Sequence, residues 1–285
     1  MFNLKFAKML DNQIFRKYNL ETISEDYFKV INNSFCVADG VTRDTIDGNS
    51  VGYPKSEQEA KDWIQKYPNP SGAFEAAKVT SDTFVEEIEK VSDNSITEEV
   101  VRQSIYTANE NVAKINKNRK INYIEEDYYC CEAVGGRIVN DTLYCFSIGD
   151  CHITLVDEDF NIIFTTINNH KRFEEFLDNV YSKNNKFDWN NAEDRKMVRK
   201  DYRNNPRKRY KGEEVSFGAI SGELEAMHYV DTYTVDLKEV KYICAYSDGC
   251  EPFFEEKSKI KELITNLDIF DSEGKERTLV IYENS

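Results

Sequence analysis

Apolar and polar positions along the 285-residue chain fall into blocks whose period switches between two and 3.6 residues. Tyr27–Ile31 and Ser34–Ala38 are short apolar-rich runs on either side of Asn32-Asn33, the pattern of a hairpin. A polar connector runs from Val41 to Lys55. Ser56 and Glu59 have capping-box spacing at the start of a short helix carrying Trp63. Ser71 opens a longer helix whose Phe74, Ala77, Phe84, Ile88 and Val91 form one apolar stripe, and Thr97 opens another with Val101, Ile105, Ala108, Val112 and Ile115. The period then returns to two. Cys131–Val139, Thr142–Ile148, His152–Val156 and Asn161–Ile167 read as successive strands of an antiparallel meander, because their connections are too short for crossovers. Residues 170–212 are polar and partly helical. Strands recur near Thr232–Val235, Tyr242–Ala245 and Thr278–Tyr282, with a helix over Lys257–Leu267. Strands, then helices, then strands predict an α+β fold of sheets layered with helices, in one domain spanning 1–285.

Three of the apolar runs exit into acidic turns: FCVADG (Asp39, Gly40), CFSIGD (Gly149, Asp150) and CAYSDG (Asp248, Gly249). One Asp-Gly is ordinary turn chemistry. Three in the same context are a stronger signal, since a strand end holds a carboxylate rigidly and carboxylates brought together suit Mg²⁺ or Mn²⁺. Glu25-Asp26 adds two acids before the first hairpin strand. Taken alone they read as a solvated strand edge; across the hairpin they lie beside Asp39.

Composition narrows the chemistry. A net charge of −15 argues against general nucleic-acid binding. No run approaches the ~20 apolar residues of a membrane span, and MFNLKFAKML lacks a signal-peptide pattern, so a cytoplasmic location is expected. The seven cysteines sit mostly inside apolar runs, as small buried hydrophobes of a reduced chain. None of His152, His170 and His228 has HExxH spacing, and lone histidines of this kind are more often structural than catalytic. A GxSxG elbow, a GxxxxGK[ST] loop and GxGxxG are all absent. Carboxylate and metal chemistry remains.

The order Glu25-Asp26, VADG, two amphipathic helices, a meander ending in GD, a variable insert, YSDG and a last strand preceded by polar residues resembles the metal-dependent protein phosphatases of type 2C, in a divergent bacterial form. The likeness runs from about Glu21 to Tyr282, and FGAISGE (Phe217–Glu223) is similar to the stretch preceding the third motif in bacterial members. It implies a central β-sandwich of two antiparallel sheets flanked by pairs of helices, with two Mg²⁺ or Mn²⁺ ions, or three, at one end. By that resemblance Asp39 bridges two ions and the Gly40 carbonyl faces one of them. Asp248 is a ligand of the first ion, Asp150 helps hold a third together with Asp248, and Glu25 and Asp26 act through water. The implied reaction is phosphomonoester hydrolysis by a hydroxide bridging the two ions, on phosphoserine or phosphothreonine in a protein, or on a small phosphoester.

Two positions depart from the pattern. Where the family places an Asp before its last strand, this chain has Lys275-Glu276, which leaves Glu276, or more remotely Asp271, to complete the metal site. Glu21 stands near the position of the family's phosphate-gripping arginine, so that Arg43 or Arg203 is left to supply the cation. Two outcomes follow: an active phosphatase with relocated ligands, or a phosphatase-fold regulatory module with weak or no turnover. The basic residues Arg195, Lys196, Arg199, Lys200, Arg203, Arg207, Lys208, Arg209 and Lys211 read most simply as a solvated helix and loop, and more sharply as a flap over the site.

Overall fold

The computed structural model describes residues 1–11, 13–20, 24–41, 45–46, 49–50, 54–116, 128–181, 191–272 and 275–285. Its principal strands are β1 (Phe2–Leu10), β2 (Tyr27–Ile31), β3 (Ser34–Gly40), β4 (Cys131–Val139), β5 (Thr142–Ile148), β6 (His152–Val156), β7 (Ile162–Thr165), β8 (Asp231–Asp236), β9 (Tyr242–Tyr246) and β10 (Arg277–Asn284). The principal helices are α1 (Glu57–Lys66), α2 (Gly72–Glu89), α3 (Glu98–Asn116), α4 (Lys171–Tyr181), α5 (Ala192–Tyr202) and α6 (Lys257–Thr265). The strands form two five-stranded antiparallel sheets, ordered β1-β10-β9-β6-β7 and β8-β5-β4-β3-β2.

Alternation along β3 explains the layering. Phe35 and Val37 face the other sheet, where they join Val134, Leu143, Ile153, Ile243, Val280 and Tyr282. Cys36 and Ala38 face outward onto Ala76, Ala77, Phe84 and Ile88 of α2 and onto Ile105, Ala108 and Val112 of α3. The outer face of the first sheet is covered in the same way, with Cys244, Leu279 and Ile281 meeting Ile260, Leu263 and Ile264 of α6. Each central strand is therefore apolar on both faces, and its sequence reads as an almost unbroken apolar run although the sheets are antiparallel. The helices begin where sequence places them. Ser71 Oγ accepts the Phe74 N–H at 3.0 Å and Thr97 Oγ1 the Val100 N–H at 3.3 Å. Ser56 Oγ caps α1 through the Glu59 N–H, but the Glu59 carboxylate takes the Lys55 N–H, so the reciprocal half of the capping box is displaced by one residue.

Two expectations are corrected. The run from Cys131 to Ile167 is not one meander: β4 and β5 pair in one sheet and β6 and β7 in the other, so the chain crosses between sheets at Gly149-Asp150. A connection as short as a hairpin turn here joins two layers. The basic segment is not simply solvated either. Arg195, Lys196, Arg199 and Arg203 are buried, and α4 and α5 enclose their own core of Phe173, Phe176, Val198, Tyr202 and Phe217. All seven cysteines are free and buried. Among the described residues no helix is long and apolar enough to cross a membrane.

Candidate metal centre

Strand register gathers the acidic exits at one end of the sandwich. Tyr27 pairs with Ala38, which brings Glu25-Asp26 beside Asp39-Gly40. Asp39 pairs with Glu132 on β4, and Ala133 with Ile148, so Gly149-Asp150 follows next to Glu132. In the other sheet Tyr246 pairs with Leu279, which sets Ser247-Asp248 against the start of β10, just after Lys275-Glu276. Two glycines are sterically required. A Cβ on Gly40 would lie 2.3 Å from the Glu25 carbonyl oxygen and 2.7 Å from the Ala73 backbone. Gly149 has φ +84°, and a Cβ there would stand 2.1 Å from Glu132 Oε2.

Hydrogen bonds fix this end. Asp26 Oδ2 accepts from Ser247 Oγ at 2.7 Å and from Thr278 Oγ1 at 2.8 Å, tying one sheet to the other. Glu276 Oε1 accepts from Ser24 Oγ at 3.0 Å and from the Asp26 N–H at 2.9 Å, and it also takes the Glu25 N–H. Glu276 thus holds the segment that presents Glu25 and Asp26. Tyr67, which follows α1, donates its hydroxyl to Glu25 Oε1.

The electrostatics are those of carboxylates crowded away from water. Burial pushes Asp26 up to about 7, with Asp248 adding to the rise. Burial, then the charges of Asp26, Asp248, Asp150 and Glu276, lifts Asp39 well above the carboxylate range. Asp150 is raised by burial and by Glu132, and Glu276 by burial and by Asp26 and Glu25. Groups shifted in this direction hold protons unless a cation joins them. One cation of the chain does: Lys275 Nζ stands 2.9 Å from Asp248 Oδ2, and this carboxylate above all raises the lysine above its ordinary value. The donor set is all oxygen and, among the described residues, exceeds the charge of this ammonium, which fits a hard divalent ion.

Beside these acids lies a group that the sequence pattern does not mark. His170 Nε2 is 3.0 Å from Glu132 Oε1 and Nδ1 is 3.7 Å from Asp150 Oδ2, while Glu132 Oε2 accepts the Asp150 N–H at 2.9 Å. Burial opposes ionisation of Glu132, but His170 first and then the Asp150 side chain hold it down at about 2. The available signal was a lone Glu inside the apolar run YYCCEAVGG. Of the two candidate phosphate cations, Arg43 lies outside the described residues. Arg203 is 5% exposed, donates Nη1 to Tyr128 Oη at 3.3 Å and stacks over Phe217, with its charge reaching Glu132. Asp271 pairs with Lys8 at 2.5 Å on the surface, and His152 and His228 pair with Glu251 and Glu214.

No family profile and no curated protein matches the chain by sequence. Solved structures do match in fold. The serine/threonine phosphatase Stp1 from Staphylococcus aureus superposes with a TM-score of 0.58 at 12% identity over 100% of this chain and 95% of its own. The Mycobacterium tuberculosis serine/threonine phosphatase PstP gives 0.56 at 10% identity over 99% and 98%. The PstP catalytic domain in complex with two manganese ions gives 0.55 at 11% over 99% of each. The chain has the type 2C phosphatase fold, and the acidic cluster sits at one end of its sandwich.

Proposed function

We propose that the protein is a metal-dependent phosphomonoester hydrolase acting on phosphoserine or phosphothreonine of a cytoplasmic protein. The observation that carries this reading is the convergence of Asp39, Asp26, Asp150 and Asp248 from four segments, with burial and then the Asp248 charge among others raising the first three. Asp39, the Gly40 carbonyl, Asp248 and Asp150 would hold Mg²⁺ or Mn²⁺, with Glu25 and Asp26 contributing through water. Bound there, the ions supply Lewis acidity toward phosphoryl oxygens and lower the pKa of water. The chain does the positioning. Ser247 and Thr278 orient Asp26 by donating two hydrogen bonds to one of its oxygens. Glu276 is committed through Oε1 to Ser24, Glu25 and Asp26, so its contribution is to place them. Lys275, with its side chain 74% exposed, stands at the mouth of the cluster, where an ammonium can meet an incoming phosphate.

The same lysine favours a second reading. An ammonium 2.9 Å from Asp248 competes with a metal for that carboxylate, as expected of a phosphatase-fold module with little turnover. Hydrolysis of p-nitrophenyl phosphate with Mn²⁺ separates the two. The first reading expects turnover that is lost in both Asp39→Asn and Asp248→Asn. Absence of metal-dependent turnover in the wild type leaves only the second.

A further inference from the structure

We propose that Glu132, Asp150 and His170 form a second cation site, distinct in chemistry from the all-oxygen cluster because it offers an imidazole nitrogen. Its occupant is a divalent transition ion of borderline softness (Mn²⁺, Fe²⁺, Co²⁺ or Zn²⁺) in preference to Mg²⁺. The site shares Asp150 with the centre described above but does not require that the protein hydrolyse anything.

One ring nitrogen of His170 and one oxygen from each carboxylate lie within 4.8 Å of one another. They come from three separate segments: the start of β4, the crossing between sheets, and the residue preceding α4. His170 is 9% exposed as a residue, and its buried Nε2 makes no hydrogen bond of good geometry. Glu132 Oε1 is 3.0 Å away, within ion-pair distance, but out of line for an N–H···O bond. A simple Glu–His pair would align the N–H with the oxygen. Two donors that converge on a third point need not. Adjacent donors at about 2.1 Å from one ion stand about 3.0 Å apart when they subtend a right angle.

The donors are held in advance of any ion. Glu132 is pinned by the Asp150 N–H on Oε2, and Gly149 lacks the Cβ that would strike this carboxylate. The His170 backbone N–H bonds Asn168 Oδ1 at 2.8 Å, and its ring packs edge-on to Phe217 with centroids 4.4 Å apart. A nitrogen donor shifts preference from Mg²⁺ toward transition ions. The asymmetry between the two neighbouring sites follows from the residues alone.

The test is pulsed electron paramagnetic resonance of the full chain loaded with one equivalent of Mn²⁺ in excess Mg²⁺. The expected result is ¹⁴N modulation from a coordinated imidazole in the wild type and in Asp39→Asn, and its loss in His170→Gln. Glu132→Gln, which keeps the shape of the side chain, should weaken Co²⁺ binding at least tenfold. An unmodulated wild-type spectrum, or modulation that survives His170→Gln, overturns the proposal. Should His170→Gln fail to fold by circular dichroism, the wild-type spectrum and the Glu132→Gln titration decide. These readouts are independent of phosphatase assays: turnover can be absent while the nitrogen signal is present, and the reverse.

Discussion

The two ends of the sandwich carry similar kinds of polar residues and use them in opposite ways. At the hairpin end, Asn32 and Asn140 turn the chain with φ 51° and 52° around a cavity of about 600 Å³. There Arg137 donates Nη1 to the carbonyls of Ile88 and Val91 at 2.6 and 2.8 Å and Nη2 to Asp93 at 2.6 Å. Glu89 takes the hydroxyl of Ser34 and the amide of Asn32. Each of these charges meets a donor or acceptor of matching kind. At the other end, burial above all, and then neighbouring carboxylate charges, raise Asp26, Asp39, Asp150 and Glu276 toward protonation. The balanced end stabilises the fold, whereas the crowded end is costly unless a cation arrives.

The contrast can be broken from either side. The largest effect expected is on hydrolysis, where Asp39→Asn should lower Mn²⁺-dependent turnover of p-nitrophenyl phosphate by roughly 100-fold or more. The matching change at the balanced end, Arg137→Ala, should leave turnover intact and cost about 2 kcal/mol in urea unfolding, since it removes the donor from the part-buried carbonyl bonds to Ile88 and Val91.

The acidity of the crowded end gives a third, smaller effect. Asp26 titrates near 3.8 when unfolded and at about 7 when folded, and Asp39, Asp150 and Glu276 are raised in the same direction. Between those values the folded chain binds more protons than the unfolded one, so stability falls as pH rises from about 4 through about 7. Glu132, held at about 2, works the other way, and its contribution is lost only as pH falls below the ordinary carboxylate range. Metal-free protein should therefore melt several degrees lower at pH 8 than at pH 5. Asp39→Asn should raise the pH 8 value, and excess Mn²⁺ should restore it in the wild type. A flat melting temperature between pH 5 and pH 8 would contradict the crowding. Smallest is Lys275→Ala: an ion pair this exposed is worth up to about 1 kcal/mol, so Mn²⁺ affinity should rise no more than roughly fivefold.

Much of this was legible in the sequence because the decisive acids end apolar runs, and a strand end fixes a side chain with little help from elsewhere. Asp39, Asp150 and Asp248 are local signals. What depended on pairing across the sheets was hidden. Glu132 becomes part of the site only because it pairs with Asp39 and faces His170. Strand β1 is only partly legible, because Phe2, Leu4 and Phe6 alternate but Ala7, Met9 and Leu10 change phase, and its pairing with β10 is irregular between Leu4 and Phe6. Arg203, just after α5, looks solvated in sequence because the aromatic rings that cover it, Phe217 and Tyr128, lie elsewhere in the chain. The crossing at Gly149-Asp150 has the length of a hairpin turn, and length alone does not tell one sheet from two.

Whether the crowded carboxylates form a divalent-cation site is decided by isothermal titration of Mn²⁺ near pH 7 in two buffers of different ionisation enthalpy. Carboxylates that hold protons until an ion displaces them should give saturable binding with proton release in the wild type, and Asp39→Asn should lose the binding step that releases those protons, leaving at most the step that belongs to Glu132, Asp150 and His170. Binding without proton release, or binding unchanged in Asp39→Asn, would show that the cluster is not that site.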